Sequence, residues 1–262
     1  YIEAQSDTVT TSNLVRFPEL HSSNSNNTRQ SQPLFMVHGL GGHLASFYPL
    51  IRNLQKNLRD QYNLNITAYG LEANGFKDGE ACFSTLEEMV AEYVRLIQQT
   101  QPEGPYLIGG WSYGVSVAFH IAQELIQRGE KVSAFISIDA EAPHVPEDFD
   151  HFIQNNSILN LDDLYEPTTL QSLLDKFGRR FGFVTQANEC AKQQFYRFLG
   201  YSKQDSEEQI ERYSKIAIAN IFNARGFNPS RINPMNTLLV RASKSSFNNY
   251  INDWHDLLES KM

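Results

Sequence analysis

The residues best suited to chemistry lie in one short stretch, Gly110-Trp-Ser112-Tyr-Gly114. Glycine and serine are common enough that G-x-S-x-G alone is a weak signal, and a Gly/Ser-rich turn is the plain alternative. Its setting raises it. The apolar run Tyr106-Leu-Ile108 precedes the motif and a helical pattern starts near Val115, which is the strand–turn–helix of a nucleophile elbow. There the glycines leave room for a tight turn. Ser112 is held above the sheet, at a helix N-terminus that favours negative charge. A serine hydroxyl is a poor nucleophile at neutral pH, so it needs a base, an orienting acid and an oxyanion hole.

The hole takes one donor from the backbone N–H after the nucleophile, Tyr113, and one from the loop after an earlier strand. His38-Gly-Leu-Gly-Gly42 sits where that loop belongs, and Leu40 is the expected donor. Each such donor is worth about 10²–10³ in rate. The His38 side chain itself is expected to be packed rather than reactive. For the acid, Asp139 ends the run Ala134-Phe-Ile-Ser-Ile138 and so lies at the same carboxyl edge as Ser112. An Asp at a strand end is commonly a helix cap. The other position usual for such an acid follows Leu238-Leu-Val240, but no carboxylate occurs there before Asn248. Asp139 is therefore the expected acid.

These residues need a sheet to carry them. Asn13-Leu-Val-Arg-Phe17 reads as a short strand, and His21 to Gln32, without one aliphatic residue, as a mobile loop. Leu34-Phe-Met-Val37 suits a strand buried on both faces. The spacing predicts a helix over Phe47 to Leu58, a strand over Leu64 to Tyr69 and a helix over Leu86 to Gln99. After the strand at 106–108 come a helix from Val115 to Arg128, stopped by Gly129, and a strand from Lys131 to Ile138. Such alternation predicts right-handed βαβ units and a mostly parallel sheet flanked by helices. From Pro143 to Asn236 only helical patterns appear, for example Leu170 to Phe177 and Glu207 to Phe222. In the second of these Ile210, Tyr213, Ala217 and Ile221 share a face. Thr237 to Val240 resumes the strand pattern and Phe247 to Leu258 the helical one.

Composition narrows the function. A chain of 262 residues with 41% hydrophobic and 20% charged residues can bury a sizeable core. A net charge of -8 argues against a nucleic-acid or anionic-membrane partner. No apolar run approaches the roughly 18 residues of a membrane span. Cys82 and Cys190 supply neither a disulfide framework nor a zinc knuckle, so a reducing, cytoplasmic compartment is expected. No H-E-x-x-H, paired C-x-x-C or Walker loop occurs, and Gly39-x-Gly41 lacks the third glycine of a dinucleotide fingerprint.

Gln101-Pro-Glu-Gly-Pro-Tyr-Leu-Ile-Gly-Gly-Trp-Ser-Tyr-Gly114 resembles the elbow of thioesterase domains from nonribosomal peptide and polyketide synthases. Ile138-Asp-Ala-Glu-Ala-Pro143, Pro33-Leu-Phe-Met-Val-His-Gly-Leu-Gly-Gly42 and Tyr69-Gly-Leu-Glu-Ala-Asn-Gly75 fit the same family. One departure is Val115, where many members carry a second glycine; with Gly114 kept, the elbow is still expected. The resemblance implies a single α/β-hydrolase domain over 1–262, with its core at about 12–143 and 236–262 and a helical lid at about 144–235. It further implies that Ser112 takes an acyl chain from the phosphopantetheine of a carrier domain, upstream in the same polypeptide, with no cofactor of its own. Release would then be to water or to an internal nucleophile, with Asp139 orienting the base. Phe177, Phe181, Phe183, Phe195, Phe198 and Phe222 could line an acyl channel, although aromatics at helical spacing are more often core.

In this family the base is a His placed one strand after the stretch that Asp253-Trp-His-Asp-Leu-Leu258 resembles. That strand and His are expected beyond Met262, and Tyr1 with the polar opening suggests an excised terminal domain. His255 follows Val240 too closely to serve, and His21, His43, His120, His144 and His151 are poorer candidates by position. The alternatives are a freestanding editing thioesterase, a lipase-like esterase, or a non-catalytic relative that binds an acyl carrier.

Overall fold

The computed structural model describes residues 13–19, 29–77, 79–140, 142, 206–224, 227 and 235–240. Within them the strands are β1 (Leu14–Arg16), β2 (Arg29–Gln30), β3 (Leu34–Val37), β4 (Leu64–Asn65), β5 (Ala68–Leu71), β6 (Tyr106–Trp111), β7 (Val132–Ile138) and β8 (Thr237–Val240). The helices are α1 (Phe47–Tyr62), α2 (Leu86–Thr100), α3 (Tyr113–Gln127) and α4 (Glu207–Asn223). The main sheet runs β1-β5-β3-β6-β7-β8. Only β1 is antiparallel to its neighbour in it; the other pairings are parallel, as the alternation of patterns predicts.

The apolar run of β3 explains how the sheet is covered. All four of its residues are buried. Phe35 and Val37 pack with Tyr93 and Ile97 of α2 and Val117 and Ile121 of α3, while Leu34 and Met36 pack with Phe17 and with Phe47 and Ile51 of α1. Successive side chains thus enter opposite cores, which is why this strand reads as continuous rather than alternating. Thr85 caps α2, its hydroxyl accepting the Glu88 N–H at 3.1 Å, and Glu87 and Glu88 suit the positive end of that helix. Gly129, at φ +85, ends α3 as expected.

Three local expectations change. The single strand over Leu64 to Tyr69 is two: β4 pairs with β2 in a small parallel sheet and β5 enters the main one. The chain changes sheet at Ile66–Thr67, where the Thr67 hydroxyl donates to Glu19 at 2.9 Å and accepts from Gln30 at 3.1 Å. Part of the polar stretch assigned to a loop is therefore strand β2, held by backbone pairing that composition does not reveal. Finally, β6 continues through Gly109 and Gly110 to Trp111, because β3 and β7 pair with it on both sides.

Of the helical insertion, α4 forms almost where expected, started by a capping box between Ser206 and Gln209. Its buried surface is wider than the expected stripe: Ile216, Ile218, Ala219 and Asn220 are buried along with Ala217 and Ile221. The expected helices at 170–177 and 247–258, the polar opening, Cys190 and the phenylalanines from 177 to 198 lie outside the described residues. Among the described residues no helix is long and apolar enough to cross a membrane.

Candidate active site

Ser112 stands between β6 and α3 with φ 53 and ψ -126, a backbone state that side-chain-bearing residues rarely adopt and that surrounding structure must enforce. Its N–H donates to the Ile138 carbonyl at 3.1 Å and its carbonyl accepts from Val115 N–H at 2.9 Å. The flanking glycines have a steric cause. A Cβ on Gly110 would meet the Gly114 carbonyl oxygen at 2.2 Å, and one on Gly114 would meet the His38 carbonyl oxygen at 2.1 Å. Val115 is fully buried and leaves the turn intact. The Tyr113 N–H opens α3 and is among the first-turn donors that a helix leaves without an intrahelical partner.

The same close approach sets the His38–Gly42 loop beside the elbow. A Cβ on Gly39 would touch the Trp111 ring at 3.0 Å. The Gly39 carbonyl accepts from Gly42 N–H at 2.9 Å and from His38 Nδ1 at 2.7 Å. Because a trans peptide points its N–H away from its C=O, these bonds also set the direction of the Leu40 N–H. The Leu40 carbonyl in turn accepts from Asn220 Nδ2 at 2.9 Å.

His38 is wholly buried. With Nδ1 donating to Gly39, its Nε2 is left as the acceptor for the Tyr93 hydroxyl at 2.9 Å, which also lies 3.1 Å from the Glu72 carbonyl. Burial pushes its pKa down to about 4, against the opposing effect of the Gly39 bond. A neutral ring with both nitrogens engaged is a packed residue, as expected, and not a base. His120 Nδ1 donates to Ser116 at 2.8 Å within α3, its ring is stacked on Phe227, and burial lowers its pKa. His43 Nδ1 accepts the Ala45 N–H at 3.3 Å. His21, His144, His151 and His255 lie outside the described residues.

Asp139 follows β7 at the neighbouring strand end, since Trp111 and Ile138 are register partners. Its φ of 49 turns the chain off the sheet, and its N–H donates to Val240 at 2.7 Å. Ser112, Tyr113, Leu40 and Asp139 thus belong to turns at the carboxyl ends of three adjacent strands, β3, β6 and β7. That edge is where open parallel sheets bind ligands. Asn220 was not foreseen. The signal available was an amide inside the apolar run Ile216-Ala-Ile-Ala-Asn-Ile-Phe of a helix, where an unpaired polar group is costly.

A family model of the thioesterase domain matches residues 32–235. The nonribosomal peptide synthetase pngA of Aspergillus terreus is 44% identical over 100 residues, covering 38% of this chain and 10% of that protein. The chain therefore spans only a small part of this relative's length. A crystal structure of a holo four-domain nonribosomal peptide synthetase bound to AMP and glycine superposes with TM-score 0.63 at 21% identity, over 95% of this chain and 18% of that one. The type II thioesterase of the yersiniabactin biosynthetic pathway does so with TM-score 0.57 at 15% identity, over 94% and 86%. These two likenesses concern the fold, which is that of the α/β-hydrolases. Because this family match covers most of the chain, the chain belongs to the thioesterase domain family, hydrolases that act on thioesters.

Proposed function

We propose that this domain releases an acyl or peptidyl chain from the phosphopantetheine thiol of a carrier domain through an acyl-Ser112 intermediate. The observation that carries this reading is the Ser112 backbone, forced to φ 53 at a helix N-terminus by the approach of Gly114 to His38. The Ser112 oxygen attacks the thioester carbonyl carbon as its proton passes to a histidine base oriented by Asp139. Negative charge developing on the carbonyl oxygen is met by the N–H groups of Tyr113 and Leu40. The C–S bond then breaks, and the pantetheine sulfur leaves with the proton from the base. Water, or a nucleophile within the chain itself, attacks the ester in the same hole and frees Ser112 as an acid or a macrocycle is formed. None of these steps requires a cofactor in the domain.

An upstream carrier domain in the same polypeptide fits the multidomain synthetases that the chain resembles, and a chain with only two cysteines fits a cytoplasmic setting. The test is intact mass before and after exposure to a fluorophosphonate. One adduct is expected on the parent chain and none on Ser112→Ala, whose turnover falls by on the order of 10⁶. Labelling that persists in Ser112→Ala, or a parent chain that takes no adduct, overturns the mechanism.

A further inference from the structure

We propose that Asn220 is a positioning residue that sets the Leu40 peptide from the far end of the insertion; this rests on the reading of Leu40 and Tyr113 as oxyanion donors. Asn220 is 2% exposed, and its Nδ2 donates to the Leu40 carbonyl at 2.9 Å across 180 residues of sequence. It does not act alone. Arg212 donates to the Phe76 carbonyl at 2.7 Å and Asn223 to the Phe83 carbonyl at 3.0 Å, so α4 is tied to three core loops. Between them the Ile216 side chain fills the space that a Cβ on Gly42 would need, 2.5 Å away, while Gly42 itself sits at φ +80.

Two peptide planes meet at Leu40. The Gly39–Leu40 plane carries the N–H of the hole and is held through its carbonyl by Gly42 and His38. The Leu40–Gly41 plane is held by Asn220. With glycines at 39, 41 and 42 the loop has little steric resistance to rotation, so it is these bonds that choose one orientation. An apolar residue at 220 would suit the surrounding isoleucines and alanines equally well; what the amide adds is direction.

Asn223→Ala is the matched control for Asn220→Ala: the same residue type on the same helix, equally buried, but bonded to Phe83. Turnover of an acyl-N-acetylcysteamine thioester is measured on the full chain, per site titrated by fluorophosphonate, so an unfolded fraction does not imitate a slow enzyme. Full loss of one oxyanion donor costs about 10²–10³, so Asn220→Ala is expected to lower kcat by about 10- to 100-fold with KM within about twofold. It should also speed amide hydrogen exchange from Gly39 to Gly42. Asn220→Asp, of the same shape without the N–H, should behave likewise, whereas Asn223→Ala should lose thermal stability with kcat within about threefold. Equal effects from Asn220→Ala and Asn223→Ala overturn the proposal, as does parental kcat and exchange in both Asn220 variants. A parent chain that takes no adduct at Ser112 overturns the acyl-serine mechanism and this role together. The two failures stay distinct because exchange is read without any reaction.

Discussion

The Gly110–Gly114 turn and the His38–Gly42 loop face each other at one edge of the sheet, yet they are held by different means. The turn is held by backbone: register with β7, a helix start, and two glycines into which neighbouring carbonyls press. The loop has backbone bonds too, Gly42 N–H to Gly39 among them, but it also relies on the side chains of His38 and Asn220 and, through His38, on Tyr93 of α2. The turn is a matter of fit alone, whereas the loop, which also rejects an added atom at Gly42, depends on side-chain donors as well.

The sharpest test of the first half of that contrast is Gly114→Ala. Its Cβ would lie 2.1 Å from the His38 oxygen, and no flexible side chain is there to yield. We expect labelling of Ser112 to vanish and stability to fall by about 3 kcal/mol, measured by urea unfolding. Normal labelling of Gly114→Ala would mean that the turn is not held by close packing. Asp139→Asn should show the opposite profile, because the bond from the Asp139 N–H to Val240 survives the change and the side chain keeps its shape. Its kcat should drop by about 10⁴ with the melting temperature nearly unchanged.

The second half of the contrast is tested by pH. His38 in the folded chain has its pKa depressed to about 4 from 6.5, so between these values the unfolded chain binds a proton that the folded one refuses. Stability from this group is therefore full above pH 6.5 and is lost on acidification towards pH 4, by about 3 kcal/mol. His38→Asn should flatten the pH dependence of unfolding free energy in that window by this amount. An unchanged slope would show that the ring is not held neutral in the loop.

How far each region was legible in the sequence follows from the same difference. The elbow, the β3 run and α3 announce themselves within a few neighbouring residues, since turn sterics and helical spacing are local. Asp139 stands at a strand end as expected, a placement that needs only the order of strands. The Leu40 loop was placed, but not its support. Tyr93 reaches His38 over 55 residues and Asn220 reaches Leu40 over 180, and no periodicity joins them. The split of β4 from β5 was hidden for a related reason. Leu64-Asn-Ile-Thr-Ala-Tyr69 has the composition of one strand, and only its partners, β2 on one side and β3 on the other, divide it.

Trp111, the ring that Gly39 must accommodate, also makes the loop visible. It is one of two tryptophans in the chain, half-buried, with its indole edge lying along the loop proposed to receive the thioester oxygen. Indole emission shifts with local polarity, so the colour of this ring records whether the loop is seated or displaced. The molecule thus carries its own optical gauge of how the proposed oxyanion loop is seated, one that can be followed in stopped flow without attaching a dye.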